Sequence, residues 1–273
     1  MPDPQSYIEI NRDAWNQRAA LHVDSAFYDM PAFLQGKNSL NDIELSLLGD
    51  VSGKKMLHLQ CHFGQDSLSL TRMGAMVTGV DLSDTAIALA ESLSKQTSLQ
   101  ARFICSDLFA LPELLNEEFD MVFTSYGTIG WLPDIGKWAS IVHRYLKPGG
   151  RFIMAEFHPV VWMFDNDFQT VAYKYFQSSP IIETEQGSYA NKDAHVQLTS
   201  MTWNHGLAEV INSLLGTGLR LMQFHEYDYS PYYCFNHCVE AEPGKYRINH
   251  LSDKIPMVFA IEAIKPEYHN NNP

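Results

Sequence analysis

Two aspartates and one loop carry the clearest chemical signal in the sequence. His58-Leu-Gln-Cys-His-Phe-Gly64 joins a short apolar run to a stretch of helical pattern. Such a loop leaves main-chain N–H groups free at a helix N-terminus, a good place for a ligand's carboxylate. Asp81 follows, at the end of the next apolar run, where a carboxylate can accept both hydroxyls of a ribose. Asp107 closes a third run, where it can accept a proton from an adenine amino group. Either aspartate alone also reads as a helix cap or a solvated strand end. The two together, at successive strand ends, read as a nucleoside site.

The elements that must hold these residues alternate regularly. Apolar runs begin at Lys55, Met76, Ala101, Phe119 and Arg151. Helical patterns separate them: Asp66 to Met73, Ser83 to about Leu93 with Ser83 as N-cap, and Trp138 to Leu146. Lys147-Pro-Gly-Gly150 stops the last helix. This rhythm predicts βαβ units and a parallel sheet, with ligands at the carboxyl ends of the strands. Two helices precede the sheet, Ile8 to Ala20 and Asn41 to Leu48. Residues 157–203 are aromatic and irregular, with two β-like pieces, and are expected to form a cap rather than a bare loop. A helix over Leu207 to Leu215 and strands over 219–227 and 256–264 complete the pattern, and Tyr268 to Pro273 reads as a frayed polar end.

Composition narrows the function classes. A chain of 273 residues, 45% hydrophobic, can bury one large α/β core with an insertion. Nineteen basic against 32 acidic residues give a net charge of −13, and neither half is basic, which argues against nucleic acid as a partner. Cys61, Cys105, Cys234 and Cys238 include no second ligand pair at zinc spacing, so no metal is expected and the cysteines read as reduced. The N-terminus lacks a signal-peptide pattern and no run reaches the ~18 apolar residues of a membrane helix. A cytoplasmic protein without a membrane partner is the expectation.

The motifs resemble those of class I S-adenosylmethionine-dependent methyltransferases of the small-molecule type. Lys55–Gly64 is similar to that family's first loop, Val77-Thr-Gly-Val-Asp-Leu82 to its ribose strand, and Cys105-Ser-Asp-Leu108 to its adenine strand. Phe119–Phe123 and Arg144–Ile153, with the Pro-Gly-Gly turn, match the fourth and fifth strands. The resemblance implies a Rossmann-like, seven-stranded, mostly parallel sheet with an antiparallel end strand, plus an inserted cap. It divides the chain into a helical lid (1–50), a core (51–156 and 204–267) and a cap near the acceptor site (157–203). S-adenosyl-L-methionine is the implied cofactor. The residues implied to hold it are Gln60, Cys61, His62, Gly64, Asp81, Leu82, Asp107, Leu108 and Ser125, with Trp15 and Arg18 from the lid. One departure stands out. An acidic residue and two glycines of the usual first loop are replaced here by His58, Gln60 and His62, and only Gly64 remains.

Methyl transfer asks for an acceptor held in line, and for a base only where the acceptor has a proton to lose. Strand-end candidates for that base are His158 first, then Tyr126 and Glu156, with His225 and Tyr227 further out. The cap aromatics, Trp162, Phe164, Phe168, Tyr173, Tyr175, Phe176, Tyr189 and Trp203, are expected to serve mainly as the cap's own core, with a few in the pocket. The implied activity is methyl transfer to a small-molecule acceptor by in-line displacement, with a homodimer left open. The alternatives are a non-catalytic S-adenosylmethionine-binding regulator, prompted by the altered loop, and a nicotinamide oxidoreductase.

Overall fold

Apolar strands separated by capped helices build a single central sheet. The computed structural model describes residues 6–176 and 179–267, so the polar end at 268–273 lies outside the described residues. Three helices lead: α1 (Ser6–His22), α2 (Met30–Leu34) and α3 (Asp42–Leu48). The alternating part follows as β1 (Lys55–Leu59), α4 (Gln65–Arg72), β2 (Met76–Asp81), α5 (Asp84–Thr97), β3 (Arg102–Cys105), α6 (Leu111–Leu114), β4 (Phe119–Ser125), α7 (Ile135–Tyr145) and β5 (Leu146–Phe157). Then come β6 (Ile181–Gln186), β7 (Gln197–Thr202), α8 (Leu207–Gly216), β8 (Arg220–Tyr227), β9 (Cys238–Glu242), β10 (Lys245–Ile248) and β11 (Val258–Ile264).

The seven-stranded sheet has the order β3-β2-β1-β4-β5-β11-β8. Neighbours from β3 to β5 are parallel, and β11 runs antiparallel to both β5 and β8. The antiparallel strand therefore lies one place in from the edge, which β8 occupies. Successive residues of β1 go to opposite faces: Leu57 and Leu59 pack with Trp138, Val142, Val210 and Leu214 of α7 and α8, while Met56 packs with Ile43, Leu47 and Leu70 of α3 and α4. Burial on both faces explains the unbroken apolar strand sequences.

Strand order reverses between β1 and β4, so the loops after these strands flank the crevice where such sheets bind ligands. Three segments from outside the sheet roof it. Helix α1 crosses above β7, with Asn11 donating to the Met201 carbonyl (2.8 Å) and accepting from its N–H (2.9 Å). The expected cap contains the β6–β7 hairpin. The third segment was not expected. Residues 228–257, assigned to the core on sequence, leave the sheet after β8, form the β9–β10 hairpin and return in β11. Antiparallel neighbours can be joined on one side of a sheet by a connection of any length, so the excursion costs the sheet nothing.

Candidate functional site

The loop after β1 keeps a glycine-like backbone without the glycines. Gln60 (φ 55°) and His62 (φ 50°) sit in the left-handed region, as does Gly64 (φ 81°). The left-handed conformation costs a side-chain-bearing residue roughly 1–2 kcal/mol, so the surroundings must enforce it. They do so through main-chain bonds: Cys61 N–H to the Val80 carbonyl (2.9 Å), His62 N–H to Asp81 Oδ2 (2.7 Å) and Gly64 N–H to the Cys61 carbonyl (3.0 Å). Gln60 Nε2 also donates to the Thr128 carbonyl (2.8 Å), linking this loop to the one after β4. At Gly64 no side chain fits, since a Cβ there would lie 2.8 Å from the Phe103 ring. The Cys61 thiol is turned into the sheet, and a Cβ on Gly79 would meet its sulfur at 2.8 Å. His58 is buried and its Nδ1 pairs with Ser67 Oγ (2.8 Å), tying β1 to α4, while burial pushes its pKa down to about 3 and keeps it neutral.

The two aspartates are held by their own main chain. Asp81 accepts from His62 N–H on one oxygen and Ser83 N–H (2.9 Å) on the other. Each oxygen keeps a lone pair free for a further donor. Burial raises Asp81 to about 6, against the pull of these N–H groups. Asp107 Oδ2 accepts from the N–H groups of Phe109 (3.0 Å) and Ala110 (3.2 Å), and Oδ1 takes only a long bond from the Tyr7 hydroxyl (3.4 Å).

Helix α1 turns one face to this loop. Tyr7, Asn11, Trp15, Arg18 and His22 recur every three or four residues and so share a side of the helix. The Arg18 guanidinium is buried over the rings of Trp15 (5.4 Å) and Trp131 (5.1 Å), and burial lowers its pKa. His22 reaches His62 Nε2 (3.1 Å) with one nitrogen and Ser188 Oγ (3.1 Å) of the cap with the other. Three buried polar atoms here have no partner among the described residues: Arg18 Nη1, Gln60 Oε1 and His62 Nδ1. Unsatisfied buried polar atoms are costly unless a ligand or water meets them. A donor on Arg18, an acceptor on Gln60, and His62 Nδ1, which donates in the tautomer whose Nε2 accepts from His22, suit the carboxylate and ammonium of an amino acid.

All the residues expected to hold a cofactor border one cavity of about 1610 Å³, and so do Tyr126 and Glu156. A pocket for one drug-sized ligand occupies roughly 300–1,000 Å³, so this one has room for two molecules. His158 lies outside it. Its Nδ1 accepts from Val160 N–H (3.1 Å), which leaves Nε2–H to donate to Glu226 (3.0 Å), and both nitrogens are spent away from the cavity. His158 is thus a structural residue. His225, on edge strand β8, pairs with Gln223 and also stays outside.

Glu156 does reach the cavity but is not available as a base. Its carboxylate accepts from the N–H groups of Gly127, Thr128 (2.7 Å), Ile129 (3.2 Å) and Phe157 (2.7 Å) and from the Thr128 hydroxyl (2.8 Å). It shapes the loop after β4, where Tyr126 is held at φ 40°. Tyr126 donates to Glu44 Oε2 (2.7 Å), and Glu44 also accepts from Asn41 N–H (2.6 Å). Burial lifts Glu44 to about 7 and raises Tyr126 well above the usual phenol value.

Sequence reasoning missed much of the far wall. Phe27, Tyr28, Tyr232 and Phe235 border the cavity, as does Asp66. The aromatic run Tyr229 to Phe235 between two strand patterns was the available signal. More cap aromatics face the cavity than expected: Trp162, Phe164, Phe168, Tyr173, Tyr189 and Trp203 all border it. Tyr175 instead accepts from Leu207 N–H (3.0 Å), and Phe176 is 85% exposed.

The sheet is that of the Rossmann-like methyltransferase fold, and residues 57–154 match the family described as a methyltransferase domain. The chain is 34% identical over 131 residues to an uncharacterized methyltransferase from Synechocystis sp., covering 47% of this chain and 59% of that protein. It is 30% identical over 152 residues to a ubiquinone biosynthesis O-methyltransferase from Coxiella burnetii, covering 55% and 58%. The chain thus spans less than two thirds of the length of these curated relatives. Among solved structures, an S-adenosylmethionine-dependent methyltransferase from Mesorhizobium loti aligns with TM-score 0.55 at 18% identity, over 85% of this chain and 99% of that one. The DhpI–SAH complex aligns with TM-score 0.57 at 16% identity, over 97% and 99%. At these identities the likeness shows the fold.

Proposed function

We propose that this chain is an enzyme that transfers a methyl group from S-adenosylmethionine to a small-molecule acceptor in the same cavity. The observation that carries the reading is the set of partnerless buried atoms on Arg18, Gln60 and His62, set beside Asp81 and Asp107. Arg18 and His62 hold the carboxylate of the cofactor's methionine end, and Gln60 Oε1 takes its ammonium. Asp81 accepts the ribose hydroxyls on its free lone pairs, and Asp107 takes the adenine amino group, with Leu82 and Leu108 along the base. When bound, S-adenosylmethionine supplies an electrophilic methyl on a sulfonium centre.

The protein's own contribution is then placement and exclusion of water. Trp15 and Trp131 close over Arg18, and the aromatic wall opposite shapes the acceptor's approach. Tyr126 orients through Glu44, and Glu156 holds the loop that carries it. The left-handed backbone at Gln60 and His62 supports a working loop over a decayed one. The low count of basic residues favours a small acceptor over nucleic acid, and reduced cysteines fit a cytoplasmic setting. Among the described residues no helix is long and apolar enough to cross a membrane.

Calorimetry tests the reading. S-adenosylhomocysteine is expected to bind with micromolar affinity, and NADH not at all. Binding without turnover on a broad acceptor panel would turn the assignment to a regulatory protein, and NADH binding alone would turn it to an oxidoreductase.

A further inference from the structure

The end of the cavity away from Asp81 and Asp107 holds a carboxylate with no cation. Asp66 follows the β1 loop in the first turn of α4, yet it does not cap that helix. Its Oδ1 accepts from Ser39 Oγ (2.7 Å) and its Oδ2 from Ser125 Oγ (3.2 Å), both from other segments. Among the described residues no lysine, arginine or histidine pairs with it, and burial raises its pKa. The cavity's cations are engaged elsewhere. Lys37 pairs with Asp29, Lys192 donates to Asn236, Lys245 pairs with Glu242, and Arg18 lies with Trp15 and Trp131.

Tyrosine rings line the same cavity as this carboxylate. Tyr126 directly follows Ser125, which bonds Asp66, and Gln65 beside Asp66 donates to the Tyr28 carbonyl (2.9 Å). The Asp66 charge, after burial, raises the pKa values of Tyr28, Tyr126 and Tyr232 further. The rings are fixed by one another: Tyr126 meets Tyr232 edge-on at 5.1 Å, Phe27 stacks on Tyr232 at 5.6 Å, and the Tyr28 and Tyr189 hydroxyls are 2.5 Å apart. Asn41 Nδ2 bonds the Tyr232 hydroxyl (2.7 Å) and so joins this wall to Glu44. A rigid group of tyrosines beside an uncompensated carboxylate attracts a cation through ring quadrupoles and direct charge, and repels an anion.

We propose that the acceptor carries a positively charged nitrogen, an amine or quaternary ammonium, received by Asp66 in the part of the cavity that Tyr28, Tyr126 and Tyr232 line. This deepens the methyltransferase reading and rests on it for the word acceptor. Ser125, at the end of β4, joins the two halves: it borders the cofactor side and bonds Asp66.

The test is a titration of the protein, with and without saturating S-adenosylhomocysteine, using benzylamine, benzyl alcohol and benzoate as probes of one shape and three charges. Benzylamine is expected to bind at least tenfold tighter than the other two. Asp66→Asn should bring benzylamine to the level of the alcohol while S-adenosylhomocysteine affinity stays within twofold. Tyr232→Leu, which keeps the carboxylate and removes a ring, should weaken benzylamine at least threefold. Equal binding of the three probes, no binding of benzylamine, or a charge preference that survives Asp66→Asn overturns the proposal. A charge preference without any S-adenosylhomocysteine binding would sink the methyltransferase reading and leave the cation chamber standing.

Discussion

The two ends of the cavity are built by different means. At the Asp81–Asp107 end, each carboxylate follows a parallel strand and is held by main-chain N–H groups. At the other end, Asp66 and Glu44 take bonds from side chains of distant segments, Ser39, Ser125 and Tyr126, beside the local bonds that Glu44 accepts from Asn41. Main-chain bonds depend on the fold and tolerate exchange of neighbouring residues, which is why Gln60 and His62 can stand where glycines usually do. Side-chain bonds depend on residue identity, so the second end can change its ligand without disturbing the sheet.

Four measurements bear on that contrast, from the largest expected effect down. Glu156 stands between the two ends and serves the loop common to both. Glu156→Gln places an amide N–H₂ among donors that now share a carboxylate, and should lower unfolding free energy by about 4 kcal/mol in urea titration. A change below 1 kcal/mol would mean the loop holds itself. At the side-chain end, burial raises Glu44 to about 7 in the folded protein, from an ordinary glutamate value near 4.5. The folded state therefore keeps the proton longer than the unfolded chain, and stability falls as pH rises from about 4.5 to 7, by on the order of 3 kcal/mol. Glu44→Gln should flatten that slope, and a variant with the wild-type slope would remove Glu44 as its source.

The remaining two concern the cofactor end. Arg18→Ala should weaken S-adenosylhomocysteine about thirtyfold, near 2 kcal/mol, because a charged group loses its hydrogen-bond partner. Unchanged affinity would detach α1 from the site. In the proposed site Asp81 accepts two ribose hydroxyls, one on each oxygen, only when ionised, since a proton turns one oxygen into a donor, and burial lifts its pKa to about 6. Affinity should therefore fall as pH drops below that value, by roughly tenfold at one pH unit lower, about 1.4 kcal/mol. A flat calorimetric profile from pH 5 to 7.5 would show that Asp81 does not exchange its proton with ligand binding.

The contrast also explains what could be read in advance. The strands, their parallel order and the strand-end aspartates were legible because apolar runs, caps and the Pro-Gly-Gly stop are local signals. His158 was misplaced because a strand-end position gives the address of a side chain but not its direction. Its nitrogens turn to Val160 and Glu226, on the side away from the cavity. Glu156 had the right address and an unforeseen task, since the N–H groups that saturate it belong to a loop some thirty residues earlier. The excursion at 228–257 was hidden because a sheet pattern does not reveal how far a connection between antiparallel neighbours strays.

By itself the sequence determined the sheet, its switch point and the strand-end places of Asp81 and Asp107, because each depends on residues near one another in the chain. Only the tertiary structure decided that α1, the hairpin of β6 and β7 and the segment after β8 meet over one cavity, and that Asp66 borders it with no cation paired to it among the described residues. Those contacts join segments far apart in the chain, 190 residues between Asn11 and Met201 and 191 between Asn41 and Tyr232. Side-chain direction and long-range packing choose such partners, and no local periodicity records them.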